Sequence, residues 1–133
     1  MSNEPPDLAD QPAVSDSDIA EAGTFLVPAT FTGMPPTAQL FWAVVESTGV
    51  LVRGFGVVSA TRITVGQYQV VFSHDLTRSA YVGSIGLTGS VGASPSGQIA
   101  VVGRAGVPNG VFVQTFSGTG VAADRAFHLT ISS

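Results

Sequence analysis

GQIAVVGRAGVPNGVFVQTF, residues 97–116, sets two apolar runs, 99–102 and 111–116, on either side of a Gly, Pro and Asn cluster. Both runs are rich in β-branched and aromatic residues, and that pattern predicts a β-hairpin. The turn is read at Val107-Pro108-Asn109-Gly110. Proline pre-sets the φ of the second turn position and Asn tolerates the third. Gly110 is then expected in the left-handed conformation that returns the chain to the ladder.

Outward from the hairpin, the chain reads as short strands divided by turns. Residues 40–46 form one strand, and 50–63 form a long second strand in which Gly54 and Gly56 suggest a bulge. In residues 67–73, Tyr68, Val70 and Phe72 alternate with Gln67, Gln69 and Val71; residues 81–87 follow, then a Gly, Ser, Ala and Pro loop over 88–97. After a second loop, 117–124, Phe127, Leu129 and Ile131 face one way and His128 and Thr130 the other. Regularly spaced short strands without helical periodicity predict an all-β, antiparallel sandwich of six to seven strands over residues 40–133.

Residues 1–39 differ in composition. Glu4, Asp7, Asp10, Asp16, Asp18 and Glu21 give residues 1–22 a charge of −6, while five Arg against Glu46, Asp75 and Asp124 leave the body at +2, for a net −4. Such an acidic segment, with Pro5, Pro6 and Pro12, buries too little apolar surface to order alone, so any order is expected to come from a surface outside its own domain. Asp18, with Glu21 three residues on, is expected to cap a single helical turn. Residues 24–39 carry Phe25, Leu26, Val27, Phe31 and Met34 between Pro28, Pro35 and Pro36, which predicts an extended apolar strap or edge strand serving as an assembly arm.

A sheet with one wet face should alternate apolar and polar residues. Here Trp42 and Val44 oppose Phe41, Ala43 and Val45, and Ala100 and Val102 oppose Ile99 and Val101. Both faces of several strands are therefore apolar, and Trp42, Val44, Ala100 and Val102 are taken as an oligomer face, because monomers seldom leave such patches bare.

Chemistry-bearing patterns are weak. The chain has no cysteine, which removes disulfides and thiolate sites. Ser73-His74-Asp75 has the residue types of a hydrolytic triad, but neighbours along a strand point in alternate directions and are not expected to form the relay. His74 and His128 with three carboxylates in the body are a poor metal set. Gly103-Arg104-Ala105-Gly106 lacks the Lys and following helix of a phosphate loop. Scattered Arg residues make no stripe for nucleic acid, and no apolar run approaches the ~20 residues of a membrane span. No enzyme activity, cofactor, nucleic acid or membrane is expected.

The order GQYQVVF, YVGSIG, GQIAVVGRAGVPNGVFVQTF and DRAFHLTIS, within residues 66–133, resembles the C-terminal β-sandwich modules of bacteriophage tail-fibre proteins and, more distantly, H-type lectins. The resemblance implies a trimeric sandwich. With the apolar faces and the arm, it leads to the expectation of a virion-surface assembly protein, a head-decoration protein or small fibre, that trimerises through its sandwich and attaches to a larger protein particle by its N-terminal arm. The alternative is an extracellular lectin-like module that binds glycans or recognises a host through loops 88–97 and 117–124.

Overall fold

The computed structural model describes residues 11–24 and 40–132. One helix, α1 (Asp16–Thr24), precedes eight strands: β1 (Leu40–Val45), β2 (Leu51–Phe55), β3 (Val57–Thr64), β4 (Gln67–Phe72), β5 (Ala80–Ile85), β6 (Gly97–Gly103), β7 (Gly110–Ser117) and β8 (Phe127–Ser132). They form two antiparallel four-stranded sheets, ordered β2-β1-β8-β5 and β3-β4-β7-β6. The all-β sandwich expected from the sequence is thus observed, with eight strands in place of six to seven.

The extra strand comes from residues 50–63, read as one strand and found as two. The break is Gly56, whose φ of +71° disfavours any side chain, and where a Cβ would lie 2.3 Å from the Phe41 ring. There the chain leaves one sheet and enters the other. The strands that carry alternating apolar residues, β1, β4, β7 and β8, occupy the central positions of the two sheets. Phe41, Ala43, Val45, Phe127, Leu129 and Ile131 of the first sheet meet Tyr68, Val70, Phe72, Val111 and Val113 of the second, all between 0 and 3% exposed. Tyr68 and Phe127 close the interior edge-to-face at 5.1 Å. Each large side chain so buried contributes about 1.5–3 kcal/mol, so this interior dominates the energetics of the sandwich.

The β6–β7 hairpin forms, but its connection is a double turn. Val107 N–H donates to Arg104 O and Gly110 N–H to Val107 O, while Arg104 N–H donates to Gly110 O and closes the loop. The left-handed residue is Gly106 (φ +80°) and not Gly110, as the sequence suggested. Gly110 is needed instead for close approach, since a Cβ there would sit 2.9 Å from Val107 Cγ1 and 3.1 Å from Arg104 Cβ.

Helix α1 also differs from expectation. Ser15 is its cap: the Asp18 N–H donates to Ser15 Oγ (3.1 Å) and the Ser15 N–H to Asp18 Oδ2 (3.2 Å), a reciprocal box that starts the helix before Asp18. Asp16 and Asp18 in the first turn favour the helix dipole. Residues 11–24 lie against the chain's own second sheet, which corrects the expectation that this segment needs a surface outside its domain. Phe25, Leu26, Val27, Phe31 and Met34 lie outside the described residues.

Candidate functional site

The most developed polar arrangement among the described residues is where residues 11–24 meet the outer face of the second sheet. Alternation along β4 and β7 turns Tyr68, Val70, Val111 and Val113 inward, so Gln69, Val71 and Phe112 point outward, with Gln69 beside Phe112 and Phe112 beside Val102 in register. Arg104, the first residue beyond β6, folds over this row with only 4% exposure. Its Nε donates to Gln69 Oε1 (2.8 Å), and its guanidinium carbon lies 5.5 Å from the Phe112 ring centroid. Burial pulls the Arg104 pKa below its ordinary value, and the nearby Asp18 opposes that shift.

Gln11 completes the arrangement. Its Oε1 accepts from Arg104 Nη1 (3.1 Å) and from the Ala105 N–H (2.9 Å), and its Nε2 donates to Gly103 O (3.0 Å). Arg104 Nη1 also donates to Pro12 O at 3.0 Å. One glutamine amide therefore satisfies both a strand-end carbonyl and a loop N–H, as a bound peptide would. At the other end of the segment, Ala22 packs with Val71 and Val107, with Val14 and Val58 against them. A small residue there lets the helix approach closely enough for Asn109 Nδ2 to donate to Ala22 O (2.8 Å). The same amide donates to Phe72 O, also at 2.8 Å.

Pro108, Asn109 and Gly110, read from the sequence as a turn, thus carry a second role. Asn109 is fully buried, and it ties the end of β4, the hairpin loop and helix α1 together. Pro108 O accepts from the Leu76 N–H and Asn109 O from the Phe72 N–H. An open cleft of about 620 Å³ adjoins this loop, with Thr77, Ser79 and Tyr81 on its opposite wall.

The four residues read as one oligomer face are divided. Ala100 and Val102 lie at β6, the edge of the second sheet, and Val102 is 49% exposed. Trp42 and Val44 lie on the outer face of the first sheet. Val44 is 3% exposed because its row neighbours, Arg53 and His128, bond to the carbonyls of Thr88 (2.6 Å) and Leu87 (3.0 Å) and draw that loop across it. Trp42 sits in the next row, Phe55–Trp42–Thr130–Val82, where Phe55 and Val82 are 61% and 64% exposed; Leu40, beside them, is 56% exposed.

Ser73 Oγ and His74 Nδ1 do share a hydrogen bond (2.8 Å), because the chain bends after β4 and lets neighbours meet. Asp75 turns away, accepting from the Thr77 N–H and Oγ1, and the His74 ring stacks on Phe41 at 4.7 Å. The triad order is thus not assembled. Asp124 bonds to Arg62 (3.0 Å) and accepts from the Gly66 N–H (2.8 Å). Among the described residues, no three His, Asp or Glu side chains gather as a metal set.

Sequence reasoning passed over Gln11, Gln69 and Phe112 as members of a site, and met Arg104 only as part of a rejected phosphate loop. The one available signal was a single Arg in a hairpin loop between two apolar strands. No protein-family model, no characterised protein and no solved structure matches this chain.

Proposed function

We propose that this chain is a non-enzymatic assembly protein, a virion-surface component of the head-decoration or small-fibre kind, which trimerises through the outer face of its first sheet. The observation that supports this reading is the row Phe55–Trp42–Thr130–Val82 beside Leu40, in which Phe55, Val82 and Leu40 are exposed and Trp42 is half-buried. The second sheet has residues 11–24 against its outer face, whereas large apolar side chains on the first meet solvent, and such faces are usually covered by a partner. Two further copies of the chain are the proposed cover. Attachment to a larger particle is assigned to the apolar residues Phe25, Leu26, Val27, Phe31 and Met34.

The glycan-binding alternative would use loop 117–124 together with loop 88–97. The open cleft beside the latter, about 480 Å³, is lined by Ser84, Ser94 and Ser96 but by no aromatic side chain among the described residues, so it offers hydroxyls without a stacking surface for a sugar ring. Assembly is therefore preferred. Val82→Asp tests it: the substituted protein should keep its far-ultraviolet circular dichroism and sediment as a monomer, while the wild-type chain sediments as a trimer. Unchanged sedimentation of the variant would remove this face from the proposal.

A further inference from the structure

Strand β6 is the last of its sheet and, among the described residues, pairs with β7 alone. The hairpin fixes which way its backbone groups point. Arg104 N–H donates to Gly110 O, so in this antiparallel ladder Val102, Ala100 and Gln98 bond to β7, while the N–H and C=O groups of Gly103, Val101 and Ile99 turn away from it. An amide sits at one end of that free edge. Gln11 Nε2 donates to Gly103 O (3.0 Å) and Gln11 Oε1 accepts from the Ala105 N–H (2.9 Å), as a peptide group of an added strand would. Next along the edge, the outward groups of Val101 and Ile99 have no partner among the described residues.

Folded proteins ordinarily protect a sheet edge with charge, proline or bulges. On the far side of the sandwich, β2 carries Arg53, and β3 carries Arg62 and two register shifts, between Val57 and Ser59 and between Arg62 and Thr64. By contrast β6 has no charge, no proline and an unbroken register with β7. It stacks closely over β5, the equally uncharged edge of the first sheet: a Cβ on Gly83 would lie 2.9 Å from Ile99 Cδ1. The seam between them opens at one end into the cleft of about 620 Å³ beside Tyr81 and Gly103, and at the other into the cleft of about 480 Å³ beside Ile85 and Gly97. Tyr81, Ile99 and Val101 are half-buried along it and give it an apolar floor.

We infer that the β6 edge binds an extended, uncharged peptide segment of another protein, added as a further strand to the second sheet. The outward N–H and C=O groups of Ile99 and Val101 recognise its backbone, and apolar side chains at alternate positions of the segment cover the seam. Charge on the segment finds no counterpart: Arg104 is the one charged residue lining either cleft, and its guanidinium is engaged by Gln69, Gln11 and Pro12. A second copy's β6, paired over its full length, would need the Gly103 end that Gln11 occupies. This edge is separate from the outer face of the first sheet, so the inference stands or falls apart from trimerisation.

The test uses the full-length chain and an array of short synthetic peptides, acetylated and amidated, with Val, Ile or Leu at alternate positions and Ser or Thr between. At least one peptide should bind saturably in solution, and hydrogen exchange at the Ile99 and Val101 amides should then slow several-fold while the amides of β2 keep their rates. Methylating alternate backbone nitrogens of that peptide should lower its affinity several-fold. So should Val101→Pro, which removes an N–H from the open side and leaves the bonds to β7 in place. Should Val101→Pro fail to fold by circular dichroism, Ala100→Lys replaces it and puts a charge on the edge. The inference is overturned if no peptide in the array binds, if binding leaves exchange at Ile99 and Val101 unchanged, or if it is indifferent to the methylated nitrogens or the variant. Exchange that is slow at those two amides without peptide, and quickens on dilution, assigns the edge to a second copy and also overturns it.

Discussion

Asn109→Ala removes the side chain that joins three parts of the molecule. Its Nδ2 donates to Phe72 O, at the end of β4, and to Ala22 O, near the end of α1, both at 2.8 Å from a fully buried position. Each bond contributes about 1 kcal/mol net, and a carbonyl left buried without its donor costs about 1 kcal/mol more. Asn109 Oδ1 is itself buried without a partner, so its removal returns part of that loss. The balance is a destabilisation of about 2–3 kcal/mol, equivalent to roughly 10 °C in melting temperature for a domain of this size. Thermal unfolding followed by circular dichroism measures it. The loss should divide into a sandwich part, from Phe72, and an arm part of about 1 kcal/mol, from Ala22. Gln11→Ala loosens the other end of the segment, so in that background Asn109→Ala should cost less than it does alone. A melting temperature within about 2 °C of the wild type would refute the assignment of Asn109 as a buried clamp.

Gly106→Ala should cost about 1–2 kcal/mol from its positive φ alone, because a Cβ there meets only Val14 Cγ2, at 3.9 Å. Gly110→Val should cost at least as much by contact with Val107 and Arg104, and melting curves of the two variants compare them. Gln11→Ala should leave the sandwich folded yet speed proteolysis between residues 11 and 24, with limited digestion and mass spectrometry as the readout. For Asp124, burial pushes the carboxyl pKa up, but the Gly66 N–H, Arg62 and the Tyr68 hydroxyl together hold it below the ordinary value. A carboxyl depressed in the folded state contributes stability above its unfolded pKa of about 4, and that contribution is lost as pH falls through the folded value. Asp124→Asn should therefore be less stable than the wild type at pH 7, and urea titrations should show the difference shrinking below pH ~4.

Much of the sandwich was legible because its central strands obey simple alternation: Phe127, Leu129 and Ile131 on one side of β8, and Tyr68, Val70 and Phe72 on one side of β4. The division at Gly56 was not, since a glycine inside an apolar run signals equally a bulge or a change of sheet; the packing of Phe41 against it decides the matter. Gly110 was misread for a related reason. Turn propensity weighs a four-residue window, whereas the loop closes over six residues and places the left-handed position at Gly106. The Arg104 seat was hidden because its parts, Gln11, Gln69, Arg104 and Phe112, come from four separate places in the chain, and composition marked the acidic segment 1–22, which includes Gln11, as unable to order alone. Ser15, three residues before the apparent Asp18–Glu21 box, supplies the missing cap.

Molecular mass in solution tests the central claim of self-assembly most directly. Light scattering on the full-length chain at micromolar concentration should return three times the 13.5 kDa chain mass, and the Val82→Asp variant should return that mass once. A wild-type protein that scatters as a single 13.5 kDa chain would contradict assembly through the first sheet's outer face.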